Sequence, residues 1–167
     1  MYYNKCITHI GLLGNWERFF MKISTKGRYG LTAMVDIAIN AISENVTIKS
    51  ISERQDISEG YLEQIFSSLR KAGLVKSIKG SQGGYILGNS ATNITIGDIL
   101  RTLEGNLSVL GDEIKDEDEN MLQKCIKGKI WNEMDRNINS IVDSITLENL
   151  VIDYKKMESS SESMYFI

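Results

Sequence analysis

Ser58-Glu59-Gly60-Tyr61-Leu62-Glu63-Gln64-Ile65-Phe66-Ser67-Ser68-Leu69-Arg70-Lys71-Ala72-Gly73 is the stretch that decides the fold. Leu62, Ile65, Phe66 and Leu69 recur at three- and four-residue steps, which predicts an amphipathic helix with those side chains inward. Ser58 stands at the N-cap position, where its hydroxyl can accept an early backbone N–H, and Glu59 suits the positive end of the dipole. Gly73 supplies the stop.

On the N-terminal side, a short helix is expected from near Thr47 to Gln55, with Ile48 and Ile51 inward. Asp56-Ile57 joins it to the Ser58 helix as a tight turn. Further upstream, Leu31, Met34, Val35, Ala38 and Ile42 mark an amphipathic helix from Ser24 to about Ser43. On the C-terminal side lie two β-branched stretches, Val75 to Ile78 and Tyr85 to Leu87. Lys79-Gly80-Ser81-Gln82-Gly83-Gly84 joins them, and its three glycines permit the positive φ angles of a tight hairpin. Helix, helix, turn, helix, hairpin is the order of a winged helix. The fold class is therefore mainly α with a small β-hairpin, and residues 21–104 form the winged helix-turn-helix domain. Thr95-Ile96-Gly97-Asp98 opens one more helix, through Leu103.

Residues 105–120 are polar and acidic and are expected to form a mobile loop. Met121, Leu122, Cys125, Ile126, Ile130, Met134, Ile138, Ile141, Val142 and Ile145 then mark a long helix with a continuous apolar stripe. A stripe this long behind a small domain is expected to pair with a second copy, with Leu122, Ile126, Ile130, Met134, Ile138 and Ile141 as the dimerising side chains. A final helix from Thr146 to about Met157 completes the dimerisation region, residues 121–157. Residues 158–167 are expected to be a flexible, serine-rich tail ending Met164-Tyr165-Phe166-Ile167.

Composition narrows the function. No apolar run approaches the roughly 18 to 20 residues of a membrane span. Two cysteines, Cys6 and Cys125, make no disulfide framework, so a cytoplasmic setting is expected. The net charge is −3, but it divides unevenly. Residues 22–101 carry ten Lys/Arg against seven Asp/Glu, whereas residues 102–167 carry seven against fourteen. A basic front half points to a polyanion partner on one side of the molecule. Residues 1–20 lack the apolar core and cleavage site of a signal peptide, and Met21 opens a better organised segment. We expect Met21 to be the true start and residues 1–20 to be a non-native or disordered extension.

In a helix-turn-helix the second helix enters the major groove, and its first residues meet base edges. Here those are Ser58, Glu59, Tyr61, Glu63 and Gln64. Gln64 can bond an adenine edge and Glu63 can accept from cytosine N4, each good pair contributing about 1–3 kcal/mol of discrimination. The plainer alternative is a solvated polar face. Lys22, Ser24, Lys26, Arg28 and Tyr29, together with Arg54, are the candidate phosphate contacts. Lys79 and Gly80 at the wing tip are placed to enter a neighbouring minor groove. No nucleophile–base–orienter set is present, and the glycines at 80–84 precede a strand instead of a helix, so an enzyme is not expected.

Met21-Lys22-Ile23-Ser24-Thr25-Lys26-Gly27-Arg28-Tyr29-Gly30-Leu31-Thr32, Tyr61-Leu62-Glu63-Gln64, Leu69-Arg70-Lys71-Ala72-Gly73-Leu74-Val75 and Gly80-Ser81-Gln82-Gly83-Gly84-Tyr85 closely resemble the Rrf2 family of winged-helix regulators. The resemblance runs from Met21 to about Met157. It implies a homodimer on a palindromic operator in double-stranded DNA, with the Ser58 helix in the major groove and the wing in the minor groove. The family often has arginine where Lys79 stands, and lysine, more strongly hydrated, suits a narrow groove less well.

Cluster-binding members of the family place three cysteines and a histidine in the loop and the start of the long helix. In this chain only Cys125 remains, with Glu113 and Glu119 at the other cysteine positions and Gly128 at the histidine. One thiolate cannot hold an iron–sulphur cluster, so no metal and no cofactor are expected. The ending Met164-Tyr165-Phe166-Ile167 resembles that of the family's cysteine-metabolism repressors. An apolar terminus with a free carboxylate on a flexible tether suits insertion into a carboxylate-capturing pocket. The resemblance implies that cysteine synthase (CysK, O-acetylserine sulfhydrylase) is the partner, that it strengthens DNA binding, and that O-acetylserine relieves it. A terminus docked on its own dimer is the alternative. Two rival functions stay open: direct redox or ligand sensing without CysK, and a protein-interaction subunit that modulates CysK. Cys125 is read as an inert small side chain, with a redox-sensitive thiol as its alternative.

Overall fold

The computed structural model describes residues 23–40, 45–80, 83–110 and 120–163, with side chains to Ser160. Helix α1 (Thr25–Asn40) leads to α2 (Ile48–Gln55) and α3 (Glu59–Lys71), then to strands β1 (Val75–Ile78) and β2 (Gly84–Leu87). A 3₁₀ turn (Ala91–Asn93) and α4 (Ile96–Glu104) close the winged-helix unit. Beyond it, α5 (Met121–Ile126), a π-helical turn (Lys127–Trp131) and α6 (Asn132–Ser144) form one continuous helix, and α7 (Leu147–Ser163) ends the described chain.

In α3 the core is the one the periodicity predicts, whereas Leu31, Val35 and Ala38 of the α1 stripe, and Ile48 of α2, are only half-buried against it. Leu62, Ile65, Phe66 and Leu69 of α3 are fully buried against Met34 and Ile37 of α1 and Ile51 of α2. Ala33 and Ile37 join this core although they lie off the predicted stripe of α1, because α1 is covered on more than one side, by α3, α4 and α7. The end of α3 is closed by Gly73, whose φ of 77° lets Leu74 N–H reach Leu69 C=O (2.9 Å) and Gly73 N–H reach Arg70 C=O (3.0 Å). Both bonds satisfy carbonyls that the helix end leaves open.

The start of α3 differs from expectation. Ser58 occupies the N-cap position, but its hydroxyl makes no capping bond. The first turn is held by backbone alone, with Tyr61 N–H and Leu62 N–H both donating to Ser58 C=O at 3.1 Å. Side-chain capping appears at other helices. Thr47 accepts from Ser50 N–H, and Thr95 with Asp98 and Asn120 with Gln123 form reciprocal capping boxes.

Strands β1 and β2 pair antiparallel with Val75 opposite Leu87 and Ile78 opposite Gly84. Val46, just before α2, bridges Tyr85 through two backbone bonds of 3.1 and 2.7 Å, so the wing gains a short third edge tied to the helix-turn-helix. The edge of Tyr85 meets Phe66 at a centroid distance of 4.5 Å, which seats the wing on α3.

The long helix contains a feature its sequence explains. Leu122, Ile126, Ile130, Met134 and Ile138 are spaced by four, and each such step overshoots an α-helical turn by about 40°. The π turn at Lys127–Trp131 bonds i to i+5 and rotates less per residue, taking back part of that drift within the stripe.

Helix α7 also runs further than composition suggests. Glu158–Ser163, expected to be part of a flexible tail, continues the helix to Ser163. Ser159 and Ser160 donate their hydroxyls back to Lys156 C=O at 2.9 and 2.8 Å, so these serines sit inside the helical ladder instead of breaking it. Among the described residues no helix is long and apolar enough to cross a membrane. Residues 1–20, Ile42 and the loop interior at 111–119 lie outside the described residues.

Candidate nucleic-acid interface

Helices α2 and α3 meet at a turn fixed by backbone and burial. Asp56 adopts the left-handed conformation (φ 53°) and donates its N–H to Ser52 C=O, while Ile57 is buried behind it. That plug turns the chain so that Ser58, Glu59, Gly60, Glu63 and Gln64 all face solvent at the start of α3. Among the described residues no hydrogen bond or ion pair holds the Glu59, Glu63 or Gln64 side chain. They are available to an external partner. Tyr61 is half-buried and meets Tyr29 of α1 edge-on, with ring centroids 5.9 Å apart and planes at 87°. This contact joins the start of α3 to the basic end of α1.

At that end of α1, Arg28 is exposed and donates to Thr25 Oγ1 at 3.3 Å, and Lys26 is half-buried. Ser24 is turned to a structural task. Its Oγ accepts Gly27 N–H (3.2 Å), capping α1, and donates to Glu104 Oε1 (2.6 Å). Ser24 N–H also reaches Glu104 Oε2 at 3.3 Å. Gly27 and Gly30, one turn apart, give α4 room: a Cβ on Gly27 would collide with the Glu104 carboxylate, and one on Gly30 with Leu103 Cδ1. Lys22 lies outside the described residues.

Arg54, in the last turn of α2, is bound in a way the sequence does not reveal. Its Nε donates to Asp36 Oδ2 at 2.9 Å and its Nη2 to Asp36 Oδ1 at 2.6 Å. Among the described residues Asp36 is the buried charged residue of the core, 3% exposed. It also accepts from Gln55 Nε2 (2.8 Å) and Asn40 Nδ2 (3.4 Å). The hydrogen bonds that Arg54 donates to the Asp36 carboxylate hold its pKa above the ordinary value, against a smaller desolvation effect. Asp36, Gln55 and Glu104 are thus the bonding partners around these candidate contacts that the sequence does not mark.

In the wing, Lys79 and Gly80 are exposed. Gly80 has φ 119° and accepts from Gly83 N–H at 2.9 Å, so the tip turns back tightly. Of the predicted dimerising side chains, Leu122 is 68% and Ile141 59% exposed in the single chain, with Ile126, Ile130 and Met134 also exposed and Ile138 half-buried. Helix α6 is held to the winged-helix unit by polar contacts. Arg101 donates to Asn139 Oδ1 (2.8 Å) and pairs with Asp143, while Asp135 accepts from Ser108 Oγ (2.8 Å) and Val109 N–H (2.7 Å). Cys125 is a free, exposed thiol. Met164, Tyr165, Phe166 and Ile167, the predicted partner-binding residues, lie outside the described residues.

A family model described as Rrf2, iron-dependent transcriptional regulator, matches residues 23–153. The HTH-type transcriptional regulator CymR of Bacillus subtilis is 45% identical over 130 residues, covering 78% of this chain and 89% of CymR. The HTH-type transcriptional regulator IscR of Vibrio parahaemolyticus is 39% identical over 140 residues, covering 84% of this chain and 83% of IscR. Among solved structures, that of CymR, titled the global cysteine regulator of B. subtilis, superposes with a TM-score of 0.68 over 78% of this chain and 95% of that one. T. potens IscR superposes with a TM-score of 0.66 at 41% identity, over 81% of this chain and 90% of that one. These relatives carry the names of transcriptional regulators and not of enzymes.

The iron in the family description can be tested against the donors of this chain. The whole sequence has two cysteines and one histidine. Among the described residues no group of three or more His, Cys, Asp and Glu is placed to hold a metal ion. An iron–sulphur cluster held by cysteine thiolates, or by cysteines with histidines, needs four such donors, whereas the described residues supply Cys125 and the whole sequence adds only Cys6 and His9, so the residues present do not fit one. With its winged helix, its hairpin and a family match across most of its length, the chain belongs to the Rrf2 family of transcriptional regulators.

Proposed function

We propose that this chain is a homodimeric repressor of cysteine and sulphur metabolism genes that binds a palindromic operator without an iron–sulphur cluster. The observation that carries this reading is the 45% identity to a regulator titled for cysteine, on a chain whose donors do not suit a cluster. DNA recognition falls to α3, through Ser58, Glu59, Tyr61, Glu63 and Gln64. Lys22, Lys26, Arg28, Tyr29 and Arg54 supply phosphate contacts, and Lys79 and Gly80 the wing contact, while Ser24 holds α1 to α4 through Glu104. The apolar stripe of α5 and α6 pairs with its copy, setting two α3 helices on two half-sites. Met164, Tyr165, Phe166 and Ile167 insert into cysteine synthase, which strengthens operator binding, and O-acetylserine competes for the same pocket.

The test is calorimetry of the full chain with cysteine synthase, with and without O-acetylserine, beside a variant lacking Phe166 and Ile167. We expect binding that O-acetylserine displaces and that the truncation abolishes, with bare DNA affinity unchanged. Undiminished binding by the truncated chain would refute the partner assignment.

A further inference from the structure

We propose that Asp36 is a positioning residue for DNA binding, acting through Arg54; this rests on the DNA-binding reading above. A guanidinium has five N–H donors: two on the Nε–Nη2 edge, two on the Nη1–Nη2 edge, and one further Nη1 hydrogen. Asp36 takes the Nε–Nη2 edge of Arg54 in a bidentate pair, and Ser50 Oγ lies 3.4 Å from Nη2. Both Nη1 hydrogens are left without a partner among the described residues. The Asp36 side chain is 1% exposed while that of Arg54 is 38% exposed. One edge of the guanidinium therefore faces the core and the rest faces solvent.

Two side-chain amides fix this arrangement from below. Gln55 Nε2 and Asn40 Nδ2 occupy further lone pairs of the Asp36 carboxylate, and Asn40 Nδ2 also donates to Asp36 C=O at 2.8 Å. The carboxylate cannot rotate without breaking several bonds, so Arg54 is locked as well. In a helix-turn-helix the first helix crosses the sugar–phosphate backbone. Arg54 lies on that helix, in its last turn and just before the Asp56 turn that leads into α3. A planar fork held at a fixed angle suits a phosphate oxygen, and pre-ordering spares the rotamer freedom a long side chain otherwise loses on binding. The sequence hides this device, because Asp36 is an acidic residue on the face of α1 opposite its apolar stripe.

Charge gives the discriminating readout. If Asp36 only holds the fold, replacing it by asparagine removes one negative charge near DNA, and affinity per folded molecule should stay level or rise. If it positions Arg54, affinity should fall despite the gained positive charge. The probe is a duplex that the wild-type chain selects from a random-sequence pool, with a mixed-sequence duplex as control. For Asp36→Asn, corrected for folded fraction, we expect roughly tenfold weaker binding to the selected duplex, the size of a lost well-oriented contact. Equal or tighter binding would overturn the proposal. Should Asp36→Asn not fold, Arg54→Lys carries the same test: it keeps the charge beside Asp36 but cannot present a second edge. A severalfold loss supports the proposal and wild-type affinity overturns it. Failure of the wild-type chain to prefer any duplex would instead sink the DNA-binding reading itself.

Discussion

Ser24, at the start of α1, and Glu104, at the end of α4, are bonded twice across 80 residues of sequence, through the Ser24 hydroxyl and its backbone N–H. Gly27 lies beneath the same carboxylate, where a Cβ would collide with Glu104. Gly27→Ala should therefore destabilise the chain by about 1–3 kcal/mol through overpacking, outweighing the gain in helix propensity. In a Glu104→Ala background the obstruction is gone, and the same change should be neutral or stabilising by up to about 1 kcal/mol. Urea denaturation of the four chains in this cycle measures the coupling. Additive effects would show that the carboxylate does not sit over Gly27.

Leu147 ties the last helix to the winged-helix unit. It is fully buried, its N–H donates to Ile94 C=O at 2.9 Å, and Thr146 beside it bridges Thr95. Leu147→Ala should cost about 2–5 kcal/mol, as for other buried leucines. A loss well below 1 kcal/mol in denaturant titration would mean that α7 is not docked through this side chain.

Ile130 sits in the π turn, on the unpartnered stripe of the long helix. A buried, unpaired aspartate in a dimer seam costs several kcal/mol, whereas on a solvent-facing surface it costs little. Ile130→Asp is thus expected to give monomers in sedimentation equilibrium, with the thermal transition of the winged-helix core retained. A dimer of unchanged affinity would remove this stripe from the interface.

Gln64 and Lys79 should fail in different ways. Gln64→Ala is expected to lose about 1–3 kcal/mol on the selected duplex and to relax preference at one base pair. Lys79→Ala should weaken binding to all sequences alike and lower the salt slope by about one. Competition binding against single-substitution duplexes separates the two. A uniform loss from Gln64→Ala would reassign it to backbone contact.

Much of this was readable before any coordinates. The four inward residues of α3, the stop at Gly73 and the glycine-rich wing follow from periodicity and turn chemistry, because both are local. What escaped is non-local. Ser58 has the right residue type for a cap, yet the backbone alone closes that turn. Asp36 falls on a face that periodicity assigns to solvent, and only the approach of α2 buries it against Arg54. Ser24 reads as a phosphate ligand until Glu104 arrives from α4. The serine-rich run after Met157 suggests disorder, but α7 runs on to Ser163, with the Ser159 and Ser160 hydroxyls folded back onto Lys156 C=O. Each depends on a partner or a helix already in place, which composition cannot supply.

Helix α3 reads DNA sequence, and the wing adds affinity without reading it. The most direct measurement of this is equilibrium binding of the full chain to the selected duplex and to a mixed-sequence duplex, titrated with salt. We predict a steep log-linear fall of affinity with salt and a preference of at least about 10³ for the selected duplex at physiological ionic strength. Equal affinity for the two duplexes would contradict it.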